Sequence, residues 1–309
     1  MTKIACIGAG NVGRAWAVVF AAGGHDVCIY DASPLEIEQR ALPLARQTIG
    51  QLQEAGFIRE PVEVVFSRIH TVATIAEAVA AAGWVQESVR EDVEIKRSVF
   101  AEIARHAPAE TILASSTSAL PGSQFMGEIA DPARALVAHP VNPPSHIPLV
   151  ELCATPWTTP ATMAKARAFM DSLGMKPITI NREIDGFVLN RLQYTLVAEA
   201  MHLVGEGYCS AEDIDAVLVN GLALRWASIG PFEVAHLNST QGFKGFVDQL
   251  GPMMKTMGRT ARTDYDWGDA LAGRIHDEMA RKTPIEQIAD RQAWRNARIL
   301  ATRRMQQED

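Results

Sequence analysis

The amino-acid sequence is typical of an α/β protein with a doubly wound parallel sheet, followed by an all-helical C-terminal domain. Short apolar runs alternate with helical patterns up to residue 180, and this alternation favours a parallel sheet with helices on both faces. A glycine-rich turn directly follows the first apolar run. After about Asp185 the strand patterns stop and helical patterns remain. We therefore predict domains at 1–185 and 186–309, with the boundary inside 183–188.

The strands of the first domain are predicted from short runs rich in apolar and β-branched residues. In chain order they lie at 3–7, 27–30, 68–72, 84–87, 111–114, 134–138, 149–152 and 176–180.

Helices are predicted between the strands and throughout the second domain. Ser33 can cap the second helix, with Pro34 at its first position and Glu36 at its third. That helix continues towards Gly56. The other helices of the first domain are predicted at 11–22, 74–82, 92–106 and 161–173. Those of the second domain are predicted at 187–206, 211–220, 231–250 and at the end of the chain.

Length and composition limit the class of protein. The chain has 309 residues, of which 48% are hydrophobic and 21% are charged. That supply of apolar side chains can build packed cores, so we do not expect a disordered protein. The net charge is −7, because 36 acidic residues exceed 29 basic ones. A negative surface repels phosphate backbones, so we expect neither nucleic acid nor an anionic membrane as a partner.

The four cysteines predict no disulfide framework. Cys6, Cys28, Cys153 and Cys209 lie far apart, and no CxxC pair occurs. We interpret them as small apolar side chains in a reducing compartment. The longest apolar run near the start, 15–24, is too short to span a membrane. We therefore expect a cytoplasmic protein, and no metal site is predicted.

The first turn carries a dinucleotide-binding motif. A G-x-G-x-x-G pattern follows a predicted strand and opens a predicted helix, and Asp31 follows 18 residues later at the end of the second strand. This arrangement is typical of a Rossmann-type domain, in which the helix N-terminus binds a pyrophosphate. Asp31 can accept both ribose hydroxyls and would repel a 2′-phosphate, so we predict NAD rather than NADP. The predicted cofactor-binding residues of the turn are Gly8, Gly10, Asn11, Val12 and Gly13.

A proline-rich segment carries the predicted chemistry. His139 ends one apolar run, Glu151 lies in the next, and the two are symmetric about Ser145. If these runs pair as antiparallel strands, the carboxylate faces the imidazole and holds one of its nitrogens. The other nitrogen is then free to take the proton of an alcohol as hydride leaves. The segment alone leaves open that His139 is a structural residue in a turn.

Four regions besides the glycine turn with Asp31 carry recognisable motifs. They are Ala-Ser-Ser-Thr-Ser-Ala-Leu at 114–120, His-Pro-Val-Asn-Pro-Pro with Pro-Leu-Val-Glu inside 139–151, Glu-Ile-Asp-Gly-Phe-Val-Leu-Asn-Arg-Leu-Gln-Tyr at 183–194, and Gly-Leu-Ala-Leu-Arg at 221–225 with Ile-Gly-Pro-Phe-Glu at 229–233. Together with the glycine turn they resemble the 3-hydroxyacyl-CoA dehydrogenase superfamily, and within it the branch of lambda-crystallin and L-gulonate 3-dehydrogenase. The resemblance runs from residue 3 to about residue 298.

The resemblance implies roles for the catalytic residues. It identifies His139 as the base in oxidation and the acid in reduction, oriented by Glu151. Ser118 and Asn190 would hydrogen-bond the reacting oxygen of the substrate. Without the resemblance, Ser118 is equally interpreted as a helix cap and Asn190 as a polar residue near a helix start.

The resemblance also implies binding roles. Asn142 would position the nicotinamide and the substrate. Glu91 and Lys96 match family positions that line the cofactor. The family further implies a homodimer, which the apolar content of 198–224 supports, because a small helical domain cannot bury all of it alone.

Three substrate classes share the predicted chemistry: a 3-hydroxyacyl-CoA such as 3-hydroxybutyryl-CoA, a sugar acid such as L-gulonate, and carnitine. The chain has no lysine between Lys3 and Lys96, and acids outnumber arginines in 31–66, which disfavours the phosphates of CoA. No aromatic residue lies in 140–149 to hold a trimethylammonium group, which disfavours carnitine.

We therefore predict oxidation of a small free 3-hydroxy acid, with L-gulonate as the leading candidate. Arg225, beside Trp226, is a candidate partner for the substrate carboxylate. The alternative for Arg225 is a surface arginine with a packed stem. A structural, crystallin-like protein without turnover is the other class of function. The intact set of His139, Glu151, Ser118 and Asn190 argues against it.

Overall fold

The computed structural model describes residues 2–265 and 268–307. The chain forms two compact units, Met1–Asn190 and Arg191–Asp309. The first unit is α/β, and the described residues of the second form helices and their connections, so the predicted fold class is confirmed. The predicted boundary, inside 183–188, falls at the start of helix Phe187–Gly205, whereas the two units divide within that helix.

The first unit is built on one eight-stranded sheet. Its strands are β1 (Lys3–Ile7), β2 (Asp26–Tyr30), β3 (Ile69–Thr71), β4 (Ala82–Glu87), β5 (Ile112–Ser115), β6 (Ala135–Pro140), β7 (Leu149–Ala154) and β8 (Lys176–Ile180). They lie in the order β3-β2-β1-β4-β5-β6-β7-β8. Neighbours are parallel except β6 and β7, which are antiparallel. All eight predicted strands are present.

Helices cover both faces of this sheet. They are α1 (Asn11–Ala22), α2 (Leu42–Glu54), α3 (Val62–Phe66), α4 (Ile75–Val79), α5 (Val93–His106) and α6 (Pro160–Ser172). Successive residues of a strand point to opposite faces. On one face the ring of Trp84 lies 4.8 Å from that of Phe169 in α6. Its neighbour Val85 belongs to the opposite cluster, which includes Phe100 and Ile103 of α5. The apolar core therefore lies above and below the central strands.

The second unit is described by its helices. They are α7 (Phe187–Gly205, which begins in the first unit), α8 (Ala211–Val217), α9 (Ala223–Trp226), α10 (Pro231–Leu237), α11 (Gly242–Met257), α12 (Asp269–Lys282) and α13 (Ile288–Met305). A π-helical turn, Leu218–Leu222, joins α8 to α9. No helix among the described residues combines the length and the apolar content that crossing a membrane requires.

Two helices differ from the predictions. The predicted helix at 231–250 is divided into α10 and α11, because Gly242 adopts a φ of 69°, which a right-handed helix excludes. The predicted helix from Ser33 contains a π-helical segment, Ile37–Ala41, before α2. Ser33 does cap its first turn, as predicted, by accepting from the amide of Glu36.

The topology brings several loops together at one edge. The chain moves from β1 outwards through β2 and β3, and then returns to place β4 on the other side of β1. A crevice opens at such a reversal, outside the carboxyl ends of the strands. Ile7 of β1 pairs with Glu87 of β4, and Glu87 pairs with Ser115 of β5. The glycine turn and the segments after β4 and β5 therefore leave the sheet side by side.

Candidate active site

The glycine turn has the geometry that the motif requires. Gly8 has a φ of 101°, and a Cβ there would lie 2.6 Å from the carbonyl oxygen of Ser88. A Cβ at Gly13 would lie 1.9 Å from the carbonyl oxygen of Gly8. These two positions are therefore closed to any side chain, because of the tight turn at Gly8 and the close packing of α1 against it.

Gly10 is different, because a Cβ there would meet no protein atom within 4 Å. Packing within the protein does not require glycine at this position, and its open surface permits a ligand to approach the backbone. Gly10 is also the N-cap of α1 and supplies no side-chain cap. The first amides of α1, at exposed Asn11 and half-buried Val12, are thus available to a pyrophosphate. The turn fits a dinucleotide.

Asp31 faces this turn from the end of β2. One carboxylate oxygen accepts from the amide of Ala9 at 2.8 Å, and the other accepts from the amide of Ser33 at 2.9 Å. These bonds fix the negative charge of Asp31 beside the glycine turn. That is the position from which a carboxylate binds the ribose of NAD.

His139 and Glu151 form a buried pair. They are directly opposite each other on the antiparallel strands β6 and β7, as predicted. His139 Nδ1 lies 2.8 Å from Glu151 Oε2, and the side chains are 6% and 1% exposed. A carboxylate accepts only, so Nδ1 carries the proton, and Nε2 is left as the basic nitrogen.

The other oxygen of Glu151 is held by α7. Glu151 Oε1 accepts from the amides of Val188 and Leu189, at 3.0 and 2.9 Å. These amides belong to the first turn of the helix, where the backbone donors have no helical partner and the helix dipole favours a negative charge. The Phe187 ring lies 5.3 Å from the imidazole of His139. The carboxylate and the imidazole are therefore both restrained from the same helix start.

The loop after β5 carries Ser118 and is held by Glu91. Glu91 Oε1 accepts from the Thr117 hydroxyl at 2.6 Å, and from the amides of Ser118 and Ala119 at 2.8 and 2.9 Å. Asn190 donates through Nδ2 to the carbonyl of Ser118 at 2.7 Å. Both peptide groups of Ser118 are therefore fixed by predicted site residues.

Burial opposes the ionisation of Glu91, but its hydrogen bonds outweigh that cost. The bonds from Thr117 and the two loop amides, together with the charge of Lys96, hold the pKa of Glu91 below its usual value. The structure supports Glu91 as the carboxylate that shapes the Ser118 loop.

Lys96 is buried and forms ion pairs with two carboxylates. Its side chain is 1% exposed, and Nζ lies 2.9 Å from Glu87 Oε1 and 3.3 Å from Glu91 Oε2. Lys96 therefore reaches the site through Glu91. The sequence analysis did not identify Glu87 as a site residue. The sequence does show an acidic residue at the end of a mostly apolar strand, nine residues before Lys96.

A neutral hydrogen-bond network, also absent from our predictions, centres on Ser116. Its hydroxyl accepts from Trp16 Nε1 at 3.1 Å and from Gln86 Nε2 at 2.8 Å, and lies 2.9 Å from the hydroxyl of Ser88. The network ties α1 to the ends of β4 and β5, beneath the crevice described above.

The remaining predicted residues are placed as follows. Asn142 is exposed and lies in the turn between β6 and β7, three residues after His139. Arg225 belongs to the second unit, where it is exposed on α9. The first unit thus contains the predicted site residues other than Arg225. Its arrangement suits the reversible transfer of a proton to or from a hydroxyl beside a bound dinucleotide.

Comparisons with protein families cover most of the chain. Residues 3–184 match the model of the 3-hydroxyacyl-CoA dehydrogenase NAD binding domain. Residues 186–271 match the model of the C-terminal domain of 3-hydroxyacyl-CoA dehydrogenase. The first match includes the glycine turn and the His139–Glu151 pair, and the second begins one residue before α7.

Individual relatives also match over most of the chain. A lambda-crystallin homolog from Bos taurus is 40% identical over 301 residues, which are 96% of this chain and 93% of that protein. An L-carnitine dehydrogenase from Oceanobacillus iheyensis is 38% identical over 283 residues, 90% of this chain and 87% of that protein. The crystal structure of 5-formyl-3-hydroxy-2-methylpyridine 4-carboxylic acid 5-dehydrogenase, described as an NAD⁺-dependent dismutase, has a TM-score of 0.86 and 28% identity, and covers 99% of both chains.

Proposed function

Because the chain belongs to the 3-hydroxyacyl-CoA dehydrogenase family of NAD-dependent dehydrogenases, we propose that it oxidises the 3-hydroxyl of a small free 3-hydroxy acid to the 3-keto acid. The observation that carries the chemistry is the buried His139–Glu151 pair, whose Nε2 is free to act as a base. The leading candidate substrate is L-gulonate.

His139 takes the proton of the substrate hydroxyl on Nε2, and Glu151 stabilises the imidazolium that forms. Glu151 also accepts from two helix amides, and these bonds hold the carboxylate against the imidazole. We assign the Ser118 hydroxyl, which lies 3.4 Å from Glu91 Oε1, to the reacting oxygen of the substrate. Asn190 donates to the same oxygen with the amide proton that does not bond the Ser118 carbonyl. NAD, when bound, accepts the hydride from the carbon that carries the hydroxyl.

The cofactor preference follows from Asp31. Its carboxylate is fixed next to the glycine turn by the amides of Ala9 and Ser33. An ionised carboxylate there accepts ribose hydroxyls and repels a 2′-phosphate, so NAD is preferred to NADP.

The preference for a free acid over a CoA thioester rests on charge. The resemblance implies that the CoA enzymes place their CoA-contacting helices at 31–66, where this chain has Arg40, Arg46 and Arg59. Two of these arginines are paired with glutamates, Arg40 with Glu36 and Arg46 with Glu63. A cation already paired with a carboxylate is a weaker partner for a phosphate, and the segment from 4 to 95 contains no lysine. The L-carnitine dehydrogenase relatives also act, by their name, on a free 3-hydroxy acid.

A substrate panel tests the proposal directly. Purified protein is incubated with NAD and with L-gulonate, other 3-hydroxy acids, L-carnitine or 3-hydroxybutyryl-CoA, and NADH formation is followed by absorbance. We expect the highest kcat/KM for a small free acid. A much higher efficiency for the acyl-CoA, or for acetoacetyl-CoA in the reverse direction, would replace the proposal by a 3-hydroxyacyl-CoA dehydrogenase.

A second outcome of the panel concerns a structural, crystallin-like role. Absence of turnover with every substrate, while NADH still binds, would favour such a role. The structure argues against it, because burying the polar side chains of His139 and Glu151 is costly and a purely structural protein gains nothing from it.

A further inference from the structure

A buried ionic cluster of Glu87, Lys96 and Glu91 lies between the ends of β4 and β5. Glu87 is fully buried and Lys96 is 1% exposed. Two carboxylates share this one ammonium, so the cluster carries a net charge of −1 when all three groups are ionised. Burying an ion pair costs several kcal/mol per ion before the mutual attraction is counted, so such a pair is weak evidence for a stabilising role.

Besides its bonds from Lys96, the Glu87 carboxylate accepts one hydrogen bond from the strand end that leads into the Ser118 loop and one from the segment that carries Glu91. Its Oε2 accepts from the Ser115 hydroxyl at 2.5 Å, and its Oε1 accepts from the amide of Val89 at 2.7 Å. The Ser115 hydroxyl in turn accepts from the amide of Thr117 at 3.1 Å. Glu87 thus holds the start of the Ser118 loop directly.

Glu87 also acts on this loop through Lys96. The Lys96 ammonium lies within 3.2 Å of both oxygens of Glu87, whereas it lies 3.3 Å from Glu91. Glu91 can therefore keep Oε1 on the loop amides, because Lys96 is already satisfied by another carboxylate. Without the charge of Glu87, Glu91 would be the remaining anionic partner of Lys96 in the cluster and would be drawn away from the loop.

We propose that Glu87 is a positioning residue for the oxidation proposed above: it holds Lys96 and Ser115, and thereby keeps Glu91 on the loop that presents the Ser118 hydroxyl. This inference rests on the proposed function, because it assigns Ser118 to the reacting oxygen. Glu87 itself is fully buried. Its contribution is transmitted through Lys96 and Glu91 to the amide of Ser118, and through Ser115 to the amide of Thr117.

The substitution Glu87→Gln tests this role because it keeps the shape and removes the charge. We expect kcat to fall between about tenfold and about a hundredfold, as for a displacement of about 1 Å in a catalytic group. The ratio of kcat/KM for NAD to that for NADP should remain within about twofold, because Asp31 is held by other contacts. Glu94→Gln is the matched control. Glu94 lies on the same helix as Lys96, and its carboxylate is 78% exposed and pairs with Arg97. Its substitution should leave kcat unchanged.

A double-mutant cycle distinguishes an effect on the position of Ser118 from a loss of kcat that is independent of Ser118. If Glu87 acts through Ser118, adding Glu87→Gln to Ser118→Ala should lower kcat no further. Full additivity of the two losses overturns the proposal.

Amide hydrogen exchange supplies a readout that does not need turnover. Glu87→Gln should accelerate exchange at Ser118 and Ala119, which donate to Glu91, but not at Ala9, which donates to Asp31. If the variant does not fold, Ser115→Ala removes one bond of Glu87 and is measured in the same way. Unchanged exchange at Ser118 and Ala119 overturns the proposal. Accelerated exchange in a protein that oxidises no 3-hydroxy acid supports the positioning role and leaves only the proposed function refuted.

Discussion

The side chains of His139 and Glu151 are each held through one of their two polar atoms, which leaves the other atom free for a second role. Glu151 takes Nδ1 of His139 and leaves Nε2, and the α7 amides take one oxygen of Glu151 and leave the other for the imidazole. An imidazole with a fixed tautomer and a fixed plane needs no reorganisation before it takes a proton. The orientation of His139 therefore depends on its bond with Glu151, which a single substitution can remove.

Substitution of His139 should abolish most of the activity. His139→Asn should lower turnover by a factor on the order of 100 or more, because general acid–base catalysis is lost. NADH binding, measured by fluorescence titration, should be retained because the glycine turn is intact. Glu151→Gln should also lower turnover, because the imidazole loses its carboxylate partner. Turnover close to that of the wild type in His139→Asn would remove this residue from the mechanism.

Replacement of Asp31 should narrow the cofactor preference. Asp31→Ser removes the negative charge that is held by the amides of Ala9 and Ser33, and with it the repulsion of a 2′-phosphate. The ratio of kcat/KM for NAD to that for NADP should therefore fall towards one. An equal efficiency with both cofactors in the unmodified protein would contradict the assignment.

Arg225 provides a test of substrate recognition. Arg225→Met keeps much of the side-chain volume and removes the cation that we propose to bind the substrate carboxylate. The Michaelis constant for the acid should rise more than kcat falls, as expected for lost uniform binding. An unchanged Michaelis constant would leave Arg225 as a surface residue.

The strand pairs β4–β5 and β6–β7 position different parts of the site by different means. The first pair positions a polar loop through the buried carboxylate of Glu87 and the partly exposed carboxylate of Glu91, and the second positions the catalytic pair across an antiparallel ladder. The register of β6 and β7 follows from the short connection between them, residues 141–148. The amides of the Ser118 loop, by contrast, are held by a carboxylate from another segment.

This dependence predicts a response of stability to pH. The pKa of Glu91 is held below the ordinary glutamate value of 4.5 in the folded protein, so ionised Glu91 stabilises the fold above that value. The contribution is lost as the pH falls from 4.5 through the folded-state pKa. The difference in unfolding free energy between wild type and Glu91→Gln, measured by denaturant titration, should therefore be larger at neutral pH than at about pH 3. A difference that is the same at both pH values would contradict the assignment, and Glu94→Gln serves as the control.

The second unit exposes many large apolar side chains. Large apolar side chains of the second unit are highly exposed, among them Leu192, Val217, Val219, Leu224, Phe232 and Leu237, each more than 60% exposed. Large apolar side chains with such exposure are often covered in an assembly. We therefore propose a homodimer formed through the second unit.

The dimer is tested by light scattering at micromolar concentration. We expect twice the chain mass of 33.6 kDa. Phe232→Asp, at a side chain that is 77% exposed, should shift the mass towards that of one chain without loss of helical circular dichroism. A mass of one chain for the unmodified protein would refute the proposal.

Local patterns in the sequence were sufficient for the elements and for part of the site. The strands, the glycine turn with Asp31, and the pairing of His139 with Glu151 all follow from short-range periodicity, turn residues or one hairpin. The break at Gly242 was not predicted, because its positive φ is set by the surrounding fold.

Contacts between distant segments required the folded chain. The amides of Val188 and Leu189 bind a carboxylate 37 and 38 residues away, and Asn190 binds the carbonyl of Ser118, 72 residues away. No periodicity encodes such pairs, because they form only when the sheet and the start of α7 are assembled. Glu87 was missed for the same reason: an acidic residue in a sequence is ordinarily solvated, and only burial beside Lys96 makes it part of the site.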